Sequence, residues 1–241
     1  MNFKPDPQSA AKSVSLGGAY ITEKCMLVCT IIRAWDFTSG SGSQALQLNL
    51  KAHSGQDTDQ SIWYYSGNSG ENLRGYELVS RLCLLLGIHD LPMKPTKMEM
   101  MDWNDATRTR EKVERIVPTA YPALMKKTIG VVFRVRHALG KNQETGAYDM
   151  PLFSKNTGEP ILNPEIVEFY DAATGLSYNE IQRGETEPKE IKALFDKIPP
   201  PKILPLPGQA ASATTAAPAG AGGFTPSPMP SMDDFDDAIP F

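Results

Sequence analysis

The 241-residue chain has no run approaching the roughly 18 consecutive apolar residues that a bilayer span requires, and Met1 to Lys12 lacks the apolar core of a secretory leader. Both absences lead to the expectation of a soluble, cytoplasmic protein with no membrane partner. Histidine and cysteine are scarce, at three each. His53, His89 and His137 are too far apart for a helical metal pair, and His89 beside Asp90 fits a surface or capping role. Cys25, Cys29 and Cys83 form an odd set without paired spacing, which suits buried thiols in a reducing compartment. Cys25 and Cys29 share a face of a predicted strand but point too far apart to hold one zinc ion. Gly140-Lys141-Asn142 lacks both the upstream glycine and the hydroxyl of a phosphate-cradling loop. No cluster of carboxylates on rigid elements suggests a nuclease. The expectation is a protein that is not an enzyme and uses neither cofactor nor metal.

A surplus of positive charge is missing too, because the net charge is −4 and the pI about 5.5. That excludes gripping nucleic acid through bulk charge. The charge is unevenly placed, however. From Pro201 onward there is one base, Lys202, against Asp233, Asp234, Asp236 and Asp237. Residues 1 to 200 are left nearly neutral and able to present one basic face.

Residues 199–231 contain nine Pro, four Gly and seven Ala, with no acidic residue. Such a segment buries too little apolar surface to offset its ordering entropy, and reads as a disordered linker reaching on the order of 30 Å. The body before it reads as β first and mixed later. Tyr20 to Trp35 is rich in β-branched and aromatic residues; Ser39 to Ser43 form a flexible loop; Leu46, Leu48 and Leu50 alternate with polar residues in Gln44 to Ala52. Ile62 to Tyr65 is a third strand. A helix over about Leu73 to Leu86 stops at Gly87. The run Arg108 to Arg115, where bases alternate with Glu111 and Glu114, reads as the solvated face of a short helix. Thr128 to Ala138 alternates clearly, with Ile129, Val131, Phe133 and Val135 on one face and Val132, Arg134 and Arg136 on the other. Further strands are expected at Tyr148 to Phe153 and Ile166 to Tyr170. A helix from Pro188 carries Ile191, Leu194, Phe195 and Ile198 on one stripe.

This order, with a helix after the third strand, gives a mainly β chain with helices. It has the plan of an OB-fold β-barrel followed by a disordered C-terminal tail. The divisions are an arm (1–18), an OB-fold domain with insertions (19–198), the linker (199–231) and an acidic tip (232–241).

A barrel that binds unpaired strands needs rings for bases and cations for phosphates. Arg33, Trp35 and Phe37 lie two apart and share a face, while Trp63, Tyr64 and Tyr65 crowd the third strand. Arg134 and Arg136 supply cations about 7 Å apart, which Lys126 and Lys127 extend. Trp35 and Trp63 suit the core as well as stacking. Tyr64 points outward if its neighbours face in, and the opposite register exchanges them.

The last ten residues combine Asp233, Asp234, Phe235, Asp236 and Asp237 with a terminal Ile239-Pro240-Phe241. An acidic run ending in Ile-Pro-Phe after a Pro/Gly-rich linker resembles the C-terminal tip of bacterial single-stranded DNA-binding proteins. Physically, the Phe241 ring would enter an apolar pocket of a partner while the carboxylates meet its basic rim. A plain solubilising tail is the bland reading. More loosely, Gly18-Ala19-Tyr20, Ile129 to Ala138 and Ile166 to Ser177 are similar to stretches of the single-stranded DNA-binding proteins of tailed phages. The resemblance implies sequence-independent binding and protection of single-stranded DNA in replication, recombination or repair. The tip would recruit replication or recombination proteins. Self-association, subunit number and DNA path stay open. An adaptor without nucleic-acid affinity and a strand-annealing protein are the alternatives.

Overall fold

The computed structural model of the chain describes residues 21–104, 109–142, 145–155 and 157–204. The arm, Gly18 to Tyr20, the linker from residue 205 and the tip lie outside the described residues. Strands β1 (Cys25–Thr38), β2 (Gln44–Ala52) and β3 (Asp57–Tyr65) form an antiparallel meander. β6 (Thr128–His137) pairs with the other side of β1, and β9 (Leu162–Tyr170) lies outside β6, giving the order β3-β2-β1-β6-β9. The protein is therefore mainly β, with the helix after the third strand as expected. The barrel is not closed, because β3 and β9 share no hydrogen-bonded ladder. Helix α1 (Arg74–Leu85) packs against both edge strands, and Arg81 Nη1 reaches Glu168 Oε2 on β9 at 2.6 Å.

The alternation in β2 does what it predicts. Leu46, Leu48 and Leu50 are fully buried against Ile31, Ile129, Val131, Phe133, Phe169 and Leu82, each such side chain contributing about 1.5 to 3 kcal/mol. Helix α1 ends as its glycine indicates. Gly87 takes φ +67°, and the Ile88 and Gly87 amides donate to the carbonyls of Cys83 and Leu84.

A second apolar cluster occupies the opposite side of the sheet. Two further helices follow β9: α2 (Tyr178–Gln182), which was not anticipated, and α3 (Lys189–Lys197). Ile191, Phe195 and Ile198 of α3 and its end cover Val132, Tyr170, Met26 and Val167. Lys24 Nζ donates to the carbonyls of Phe195 and Ile198 at 3.1 and 2.8 Å, fixing the last turn. This cover extends over β1's first half, β6 and β9, and no described helix lies on the same side of β2, β3 and β1's second half.

Three local expectations need correction. The short helix around Arg108 to Arg115 is a β-hairpin, β4 (Thr96–Asn104) with β5 (Thr109–Val117). Ion pairs such as Lys97–Glu114 and Lys112–Glu99 join its strands, while Met98 of β4 is buried. The strand expected over Tyr148 to Phe153 shrinks to β8 (Met150–Pro151), paired with β7 (Leu139–Gly140). The Ser39 to Ser43 loop is tied down. The Ser39 amide donates to the Ser43 carbonyl, the Ser43 amide to Ser39 Oγ, and the Gly67 amide to Ser43 Oγ. A Cβ on Gly67 would lie 2.1 Å from the Ser41 carbonyl oxygen, so glycine is required for this close approach.

Candidate nucleic-acid interface

A β-bulge decides which residues face outward. Ile31 pairs with Leu50 and is fully buried, so plain alternation would send Arg33, Trp35 and Phe37 into the core. Instead the register shifts between Ile31 and Arg33, and the extra residue, Ile32, is 43% exposed. From there Ala34 and Asp36 face in, and Arg33, Trp35 and Phe37 face out. The outer side of the three strands is thus laid out in rows: Phe37, Ala45, Trp63; then Trp35, Gln47, Ser61; then Arg33, Asn49, Asp59.

Each row has its own chemistry. Phe37 and Trp63 meet edge to face, with ring centroids 6.0 Å apart at 83°, above the fully buried Ala45. Trp35 is half-buried beside Gln47, whose Oε1 accepts from the Ser61 hydroxyl at 2.8 Å. In the third row Asn49 Nδ2 donates to both Asp57 and Asp59 at 2.9 Å, and Arg33 Nη2 lies 3.6 Å from Asp59. The β3 edge of this row is acidic. On the opposite flank, the backbone of Lys126 and Lys127 pairs with Ile31, immediately before the bulge, and both side chains are exposed. The structure therefore puts Arg33, Trp35, Phe37 and Trp63 on one face, with Lys126 and Lys127 exposed in the segment that pairs with β1 at Ile31. Gln47, Ser61 and Ile32 join them without having been singled out. The outward position of Gln47 was readable from its place between Leu46 and Leu48; the bulge was not.

Tyr64 is not on this face. Its hydroxyl donates to Asp36 Oδ1 at 2.5 Å and its ring packs on the core, the register opposite to the outward one. Burial pushes the Asp36 carboxyl above the usual range, and hydrogen bonds from Tyr64 and Thr38 only partly offset this. The Tyr64 phenol is raised by its own burial and by that carboxylate. Tyr65, half-buried, pairs with Gln44 and bridges Asn72 at the end of β3.

Arg134 and Arg136 are also separated from the rings. Phe133 pairs with Cys25 at the start of β1, so both arginines lie about ten residues from Trp35, on the order of 30 Å at the strand rise. They converge on one carboxylate: Arg134 forks onto Glu165 at 2.6 and 2.7 Å, and Arg136 Nε lies 3.1 Å from it. The sequence placed these cations on one surface with the rings because face and position along a strand are independent, and the pattern fixes only the face.

Of the cysteines, Cys29 is fully buried, whereas Cys25 and Cys83 are half-buried. Burial raises all three thiols, Cys25 to about 11 and Cys29 to about 12, which leaves them unreactive near neutrality. Among the described residues no helix is long and apolar enough to cross a membrane. No family model matches the sequence, and no curated protein is similar to it.

Proposed function

We propose that this chain is a non-enzymatic protein that binds and protects single-stranded DNA without reading its sequence, during replication, recombination or repair. Its acidic tip recruits partner proteins. The observation that carries the reading is the outward row face: Trp35, Phe37 and Trp63 lie, partly exposed, on the side of the sheet that no described helix covers and outside its core cluster. Rings in that position offer π-faces to any base, each stack contributing about 1 to 3 kcal/mol. Asp57 and Asp59 repel phosphates from the β3 edge, so the backbone runs along the flank marked by Lys126, Lys127 and Arg33. Arg134 and Arg136, distant and sharing Glu165, have at most a peripheral part. The tip's resemblance to bacterial single-stranded DNA-binding proteins supports the recruiting half of the reading.

The near balance of Arg33 and Lys51 against Asp57 and Asp59 on the outward face favours a second reading. In it the rings hold a protein and the chain is an adaptor. Titrating tryptophan fluorescence with oligothymidylate at two salt concentrations separates the two. Nucleic-acid binding gives quenching and an affinity that falls with salt. No response at either salt rejects it in favour of the adaptor. Mixing complementary strands tests annealing separately.

A further inference from the structure

The guanidinium on the outward face is incompletely satisfied. Arg33 Nη1 donates to the Glu99 carbonyl on β4 at 2.6 Å, Nη2 is 3.6 Å from Asp59, and the Nε–H is enclosed with no acceptor. An enclosed N–H left unpaired carries its full desolvation penalty. The charged partner is a poor one as well, since the Asp59 side chain is 69% exposed and held by Asn49. Arg33's short bond therefore goes to a neutral oxygen, whereas a fork of this shape binds an anion roughly twice as strongly.

Arg33 supplies a side-chain tie to the β4–β5 hairpin, beside the buried Met98 of β4 and the Lys94 amide, which donates to the Ala120 carbonyl. Lys97, Lys112 and Arg115 of the hairpin are each paired with a carboxylate of its own, Glu114, Glu99 and Asp102. The hairpin also presents Ile116 to solvent at 71% exposure. Building on the single-stranded DNA reading, we propose that Arg33 is a two-position cation. In the free protein it fastens the hairpin to the sheet through the Glu99 carbonyl. When a strand stacks on the neighbouring Trp35, its fork passes to a backbone phosphate, which also gives the Nε–H an acceptor, and the hairpin is released from β1. Lys126 and Lys127, already exposed, undergo no such exchange.

Two measurements on the full chain test this. The first follows the Arg33 Nε–H proton resonance of the otherwise native protein, assigned by its loss in Arg33→Lys, as oligothymidylate is added. The second measures the distance between spin labels at Ile116→Cys and Ser54→Cys, with and without Arg33→Ala. The expected result is a downfield shift of the Nε–H proton, together with a changed or broadened label distance in Arg33→Ala alone and in the native background with oligonucleotide. If tryptophan fluorescence reports binding while the proton and the distance stay unchanged, the exchange is wrong and the binding reading stands. If oligonucleotide leaves fluorescence unchanged as well, both fall together.

Discussion

Phe37 and Trp63 sit on different strands yet meet edge to face across Ala45, 6.0 Å between centroids, on the side of the sheet that no described helix covers. Such a pair is worth about 0.5 to 1.5 kcal/mol beyond its buried area, so each ring holds the other in place for a base. Trp63→Ala should lower oligothymidylate affinity by about 1 to 3 kcal/mol. The loss of folding stability should stay below the roughly 3 to 5 kcal/mol of a core Trp→Ala change. Trp35 and Trp103 remain as fluorescent reporters. A variant that binds as tightly as the native chain would remove Trp63 from the interface.

The bulge at Ile32 makes a sharper demand. Deleting Ile32 sets Arg33 directly after Ile31, opposite the consecutive Leu50 and Asn49, so the ladder becomes regular while Arg33, Trp35 and Phe37 still face outward and Ala34 and Asp36 inward. Replacing it by Thr, also β-branched, keeps the residue count. Both variants should therefore unfold cooperatively and bind oligothymidylate, as circular dichroism melts and the fluorescence titration would read; loss of binding in the deletion alone would mean that the bend of the bulge, and not only the facing of the side chains, shapes the interface.

Much of this was legible in advance because the pattern was strong. Leu46, Leu48 and Leu50 fixed β2 to the residue, and Gly87 marked the end of α1. The β4–β5 hairpin was illegible for a physical reason: β5 is joined to β4 by cross-strand ion pairs, so its charged run carries no apolar period, and alternating signs read equally well as a solvated helix. The candidate site was half legible. The shared face of Arg33, Trp35 and Phe37 follows from their spacing, but whether that face is core or surface depends on one unpaired residue. Tyr64 was drawn inward by a buried acceptor, Asp36, which alternation cannot reveal.

Glu180 joins α2 to the start of α3. Its side chain is fully buried; Oε2 accepts from the Ser177 amide at 2.8 Å and Oε1 from the Glu190 amide at 2.6 Å. Burial pushes the carboxyl up, but these bonds, with those from the Ser177 hydroxyl and the Lys189 amide, outweigh it and leave the group below its usual range. A depressed carboxyl stabilises the fold above its unfolded value, about 4.3, and loses that contribution as pH falls through the folded value. Glu180→Gln should cost about 2 kcal/mol at pH 7, the range of a hydrogen bond to a charged group. It should also flatten the acid limb of the stability curve measured by urea unfolding.

Asp36 should behave in the opposite sense. Its carboxyl is raised by burial, so the folded state holds a proton that the unfolded chain has already released. Stability then declines as pH rises from the unfolded value, about 3.9, through the folded one. Asp36→Asn keeps an acceptor for the Tyr64 hydroxyl and removes the titration. The variant should be more stable than the native chain at pH 7 and show no such decline. Equal stability at neutral pH would mean that the carboxylate is fully compensated by Tyr64 and Thr38.

The tip and the rings should separate by deletion. Removing 232–241 takes away Asp233, Asp234, Asp236 and Asp237 and the Ile239-Pro240-Phe241 end, but touches none of the described residues. A polyanion on a long tether competes with phosphates for the cations near Trp35 by raising the local negative charge. Truncation should therefore leave oligothymidylate affinity unchanged or higher, with the gain largest at low salt, where screening is weakest. Capture of replication or recombination proteins by the immobilised chain should be lost at the same time. Loss of oligonucleotide binding on truncation would mean that the tail, not the sheet, holds the strand.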